Sequence, residues 1–126
     1  MFDLDPAATP ENARAPRFYT PADDGLTKDW FGRVWVNPPY SGVRDWVRKA
    51  VAEAQRAEVE YVVMLLPART DTRWFHDLVR PHAQQVIFVR GRLKFKGGAS
   101  SAPFPSMLVI FDGREYMNPR IGWLTA

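Results

Sequence analysis

The chain has 126 residues, enough for one domain with a single core and too few for two ordinary ones. It has no cysteine, which excludes disulfides, a thiolate nucleophile and a zinc–thiolate site. Its formal net charge of +3 permits a nucleic-acid partner without requiring one.

Hydrophobic residues make up 46% and charged residues 25%, so a single folded domain over residues 1–126 is expected. Met1-Phe2-Asp3-Leu4-Asp5 is acidic and lacks the basic and apolar regions of a signal peptide. The longest apolar run, Tyr61 to Leu66, is far too short to span a membrane. A cytoplasmic protein with no membrane partner is expected.

Phe2-Asp3-Leu4 reads as a very short first strand ending at Asp5. Thr9, Pro10 and Glu11 have the order of an N-cap, a first-turn proline and a first-turn acid, which predicts a short helix cut off before Pro16. Arg17 to Gly32 reads as irregular, with Asp23-Asp24-Gly25 as a turn. Arg33 to Val36 has strand character and stops at Asn37, because neither Pro38 nor Pro39 has an N–H to give a sheet.

Val43, Trp46, Val47, Ala50, Val51 and Ala54 fall at helical spacing, with Arg44, Arg48, Lys49 and Glu53 on the other side. Ser41 is the expected cap. Tyr61 to Leu66 reads as a strand buried on both faces, as in a parallel sheet covered by helices, and Pro67 ends it. Thr70-Asp71-Thr72 starts a second helix carrying Trp74, Phe75, Leu78 and Val79, which Pro81 is expected to stop. Val86 to Val89 and Ser106 to Phe111 are further strands. With no helical pattern between them, they are expected to pair antiparallel through the loop that contains Gly97-Gly98. Strands and helices alternate through the middle of the chain, which predicts an α/β fold with a mostly parallel sheet.

Asn37-Pro38-Pro39-Tyr40 stands where open α/β sheets bind ligands, just beyond a strand's carboxyl end. The plain alternative is a strand-ending turn. As a site it has a definite chemistry. An exocyclic amine on a planar ring is a poor nucleophile because its lone pair is delocalised into the ring. The Asn37 side-chain oxygen and the Pro38 carbonyl accept its hydrogens and localise that pair, while Tyr40 stacks on the ring. A base inside a duplex must be flipped out to reach such a site.

Other groups have two readings each. Asp5-Pro6-Ala7-Ala8 is an acidic turn or a ligand-binding loop. Asp24 is a solvated turn acid or part of a pocket. Arg69 to Thr72 cap a helix or contact phosphate. Arg90, Arg92, Lys94 and Lys96 form a solvated strand face or a basic hairpin on DNA phosphates, with Phe95 able to stack. His76 and His82 are too few and too poorly placed for a metal site, and no metal is expected.

In this ordered set the sequence resembles the phage-type DNA N6-adenine methyltransferases. It includes Asp3-Leu4-Asp5-Pro6-Ala7-Ala8 with Asn12-Ala13, Phe18-Tyr19-Thr20, Asp24-Gly25-Leu26, Trp30 and Arg33 to Ser41. Further along come Leu65-Leu66-Pro67-Ala68-Arg69-Thr70-Asp71-Thr72, Trp74-Phe75-His76, Val89 to Phe95 and Ala102-Pro103-Phe104-Pro105-Ser106.

The resemblance implies a Rossmann-like methyltransferase fold of reduced size, S-adenosylmethionine as methyl donor and adenine in DNA as acceptor, in a bacterial host cytoplasm. By it, Asn37, Pro38, Pro39 and Tyr40 are catalytic. Asp5, Pro6, Ala7 and Asp24 contact the donor, and Arg69, Arg90, Arg92, Lys94 and Lys96 contact DNA. Members of the family carry a segment ahead of the Asp5 motif, so the resemblance also implies a shortened form or a truncated chain. The residues leave open a methyltransferase for another planar amine or amide, and a DNA-binding remnant without catalysis.

Overall fold

The structure is a computed structural model that describes residues 1–94 and 103–126. Seven strands form one sheet: β1 (Leu4–Asp5), β2 (Arg17–Phe18), β3 (Gly32–Val36), β4 (Val59–Pro67), β5 (Ala83–Arg90), β6 (Ser106–Phe111) and β7 (Arg120–Thr125). Their order across the sheet is β2-β1-β3-β4-β6-β5-β7. Among these described strands β6 alone runs against the rest, paired antiparallel to β4 on one side and β5 on the other. The expected antiparallel pairing of the last two recognised strands is present, and β6 also separates β5 from β4. β7, which had no clear sequence signal, adds a parallel strand outside β5.

Helix α1 (Val43–Ala54) follows β3 and buries Val43, Trp46, Val47, Ala50, Val51 and Ala54, the six positions at helical spacing. Glu53 departs from the expected outward face and is buried. Its carboxylate accepts the backbone N–H of Trp30 and pairs with Arg56 at 3.0 Å and Lys49 at 3.7 Å, so it is paired rather than solvated.

After β4 the chain forms a wide π-helical stretch, Phe75–Val79, that continues as one α turn, Arg80–His82. Pro81 was expected to stop this helix, yet it lies within the final turn. The widened turn has Arg80 N–H reach back to the Phe75 carbonyl, which accommodates a residue that has no N–H of its own. Residues 9–13 are the converse case: no helix forms. Instead Thr9 N–H donates to the Asn12 side chain and the Thr9 carbonyl accepts from Asn12 and Ala13, closing a compact turn.

The core lies between α1 and one sheet face, where Val34, Val36, Val62, Met64, Leu66, Met107 and Val109 are buried. On the other face Trp35, Val63, Leu65, Leu108 and Ile110 are half-buried. Among the described residues β4 is therefore covered by helices on one side only, whereas its continuous apolar run had suggested both. Right-handed crossovers from β3 to β4 and from β4 to β5 progress in the same direction, so they place both helical segments on one face. The β1–β2 connection goes the opposite way, and it contains only turns.

Candidate active site

Six parallel strands bring their carboxyl ends to a single edge. That edge gathers Asp5, Val36, Pro67 and Arg90, and antiparallel β6 starts there at Ser106. Asn37 is the first residue past β3 and is exposed, Pro38 is buried, and Tyr40 opens the short 3-10 turn Tyr40–Gly42 that leads into α1. Gly42 rather than Ser41 takes the position before the helix, and no side chain caps it.

Beside this segment lies a cavity of about 640 Å³, within the range of small-molecule sites. Its main walls are three stretches, Pro6 to Thr9, Asp24 to Leu26, and Asn37 to Tyr40, joined by Asn12, Thr20, Pro21 and Trp46. Two of the three come from the β1 side of the sheet and one from β3, so the cavity spans neighbouring strand ends.

Local bonds hold each wall. Asp5 was expected at the ligand, but its carboxylate is buried behind the first wall, accepting N–H from Arg14 at 3.0 Å and from Ala7 at 3.4 Å. Burial raises its pKa above 3.8, and those two amides oppose the rise. Tyr19 N–H donates to the Asp5 carbonyl and Ala8 N–H to the Tyr19 carbonyl, each at 3.0 Å, which pins the loop to the end of β2.

Asp24 is left-handed at φ 59° and its side chain accepts Leu26 N–H at 3.2 Å. Its carbonyl accepts from the Thr27 hydroxyl at 2.8 Å. Neighbouring Asp23 accepts the Thr20 N–H and hydroxyl, which lower its pKa. At Gly25 a Cβ would stand 2.0 Å from the Pro6 carbonyl oxygen, so only glycine lets the two walls meet. Trp30 Nε1 donates to the Gly25 carbonyl at 2.9 Å, and its ring stacks on Trp46 with centroids 6.2 Å apart. The Glu53 group, through Trp30, thus anchors the second wall to α1.

The Tyr40 ring meets Phe104 edge-on at 4.8 Å, and the Arg69 guanidinium lies over Phe104 at 5.6 Å. Ala68 N–H donates to the Pro105 carbonyl at 2.8 Å, which fixes the segment before β6 to the end of β4. Partial burial raises the Tyr40 pKa, so its hydroxyl stays protonated in the neutral range. Phe104 was part of a sequence motif, but its place beside Tyr40 was not foreseen. The only available signal was its position just before a strand that returns to the same edge.

Arg69 is exposed just past β4, Arg90 ends β5, and Arg92 and Lys94 follow it, all exposed. Lys96, Phe95 and the Gly97-Gly98 turn lie outside the described residues. Among the described residues no three His, Cys, Asp or Glu side chains stand together as a metal site. No described helix is long and apolar enough to cross a membrane.

An α/β sheet with a small-molecule cavity at its carboxyl edge, bordered by an amide, two prolines and a tyrosine, has the layout of a ligand-binding site on a Rossmann-like sheet. The chain belongs to the DNA N-6-adenine-methyltransferase (Dam) family, whose model matches residues 1–124. It is 35% identical over 117 residues to the DNA N-6-adenine-methyltransferase of Haemophilus phage HP1, covering 88% of this chain and 67% of that protein. It is 37% identical over 95 residues to the protein of the same name in Escherichia phage T1, covering 73% of this chain and 38% of that protein. A solved structure described as a predicted O-methyltransferase from Agrobacterium tumefaciens superimposes with TM-score 0.44 and 16% identity, over 86% of this chain and 53% of that one.

Proposed function

We propose that this chain transfers a methyl group from S-adenosylmethionine to the N6 amine of adenine in DNA. Family membership supports the reaction class. The single structural observation that carries the site reading is the cavity of about 640 Å³ bordered by both Asp24 and Asn37 to Tyr40.

The residues present suit the donor. Pro6 to Ala8 and Trp46 offer apolar walls to a purine or a thioether chain. Gly25 packs on Pro6 without a side chain between them. Asp24 offers a carboxylate to hydroxyl or ammonium hydrogens. S-adenosylmethionine, when bound, supplies a methyl group activated by sulfonium.

The chain does the rest by position. The Asn37 amide oxygen and the Pro38 carbonyl accept the two hydrogens of the adenine amine, which turns its lone pair toward the donor side. Pro38 and Pro39 have no N–H to compete for those acceptors. Tyr40 stacks on the flipped base, and Phe104 keeps the Tyr40 ring from turning. Asp5 acts indirectly by fixing the 7–14 loop. Arg69, Arg90, Arg92 and Lys94 neutralise phosphates along the same edge; Lys96 extends that basic series by sequence alone.

Calorimetric titration with S-adenosylmethionine tests the donor site. Asp24→Asn keeps the left-handed turn, since asparagine tolerates that conformation, and should weaken donor binding about tenfold by loss of a charged acceptor. Wild-type protein that binds DNA in a salt-sensitive way but gives no donor heat would favour a non-catalytic remnant instead.

A further inference from the structure

Four of the exposed large apolar residues, Met117, Ile121, Trp123 and Leu124, lie in the last ten residues, and Trp123 is 79% exposed. β7 sets Trp123 beside Phe88 and Thr125 beside Arg90 on the helix-bearing face of the sheet. The Phe88 and Trp123 rings are 5.7 Å apart and tilted by 36°. Phe88 in turn packs on the core, so the outer ring has a fixed base. Trp123 contributes nothing to that core itself.

The charges around it are mostly positive. Between β4 and β7 the described residues include exposed Arg69, Arg73, Arg90, Arg92 and Lys94, against the exposed acids Asp71 and Asp77 in the same 67–94 stretch. An exposed aromatic ring beside a row of cations has the chemistry of a surface that tracks a phosphate backbone and stacks a base.

We infer that Trp123, backed by Phe88 and flanked by Arg90, is a second nucleic-acid contact: a stacking platform for an unpaired base on the strand that carries the target adenine. This rests on the DNA reading above and adds a substrate preference to it. From β3 the sheet steps through β4, β6 and β5 to β7, a span of roughly 19 Å at ordinary strand spacing. That is roughly five to six nucleotides at helical rise, and fewer on a stretched strand. A base there is available to a flat ring only if it is not paired, so the platform favours DNA with an unpaired flank.

The test compares two substrates with the same adenine-containing core. One is fully paired; the other carries single-stranded tails on both sides, starting about five nucleotides from the adenine. Wild-type protein should bind the tailed substrate roughly tenfold more tightly, Trp123→Ala should bind both alike, and Trp123→Phe should keep the preference.

No preference in the wild type, or a preference that survives Trp123→Ala, overturns the proposal. So does a result in which Trp123→Ala turns a dimer into a monomer by sedimentation while DNA affinity is unchanged, since edge strand β7 would then serve a second copy. Methylation of the paired substrate without any tail preference would defeat only this proposal. Absence of both DNA binding and methylation in the wild type would defeat the DNA reading as well.

Discussion

Asp5 shows how the carboxylate at a strand end can be taken up by its own loop. A carboxylate at the end of a parallel strand is a reasonable ligand contact. Here two amide hydrogens take up its oxygens, and it is buried behind the wall it supports. Which of the two roles it would take depended on where Arg14 folds back, and nothing local in the sequence encodes that. Because burial raises the Asp5 pKa in the folded state, the native protein binds a proton here more readily than the unfolded chain. Its contribution to stability therefore declines as pH rises from 3.8 through the raised value, and levels off above it. Urea denaturation between acid and neutral pH should show the wild type losing stability relative to Asp5→Asn across that window. A difference that stays constant with pH would mean the carboxylate is not shifted. By contrast, Asn37, the two prolines and Tyr40 were legible because their constraints are local. A strand that meets two prolines must stop, whatever surrounds it.

The elements divide in the same way. Helix α1 was legible because six apolar positions recur at its own period and all six are buried. Its remaining buried position, Glu53, was not, because its partner Trp30 N–H arrives from 23 residues away. Replacing Glu53 with alanine leaves that N–H buried and unbonded and removes one of the acids paired with Arg56, which keeps Asp29 and Glu58. A loss of about 2–3 kcal/mol in unfolding free energy is expected. Donor affinity should fall too, since Trp30 holds Gly25 at the cavity wall. A thermal melt with a donor titration checks both; an unchanged melt would mean the network is incidental. The turn at Thr9 carried convincing start signals for a helix, but its polar groups bond one another across three residues and close the chain too soon. That turn is also why one sheet face has no helix over it among the described residues, and why the loop is free to line the cavity.

At the scale of the whole molecule, alternation of strands and helices was enough to indicate a mostly parallel sheet. The position of β6 between β4 and β5 was not legible, because apolar strands of similar character carry no label for their neighbours. That one placement matters for the site, since it brings Phe104 to Tyr40 and Arg69. β7 was missed because its residues are mostly exposed and lack an alternating pattern. The resulting arrangement has a cavity of small-molecule size at the β1 and β3 ends and cations farther along the same edge.

The central claim is that Asn37 prepares an amine at the cavity mouth for methyl transfer. It is tested most directly by following labelled methyl from S-adenosylmethionine into adenine N6 of duplex DNA, for wild type and Asn37→Ala at saturating donor and DNA. Asn37 is exposed at a strand end, so the variant should melt like the wild type and bind donor normally. Its methylation rate should fall by at least about 100-fold. Equal rates in the two proteins, with methyl appearing on adenine in both, would contradict the account.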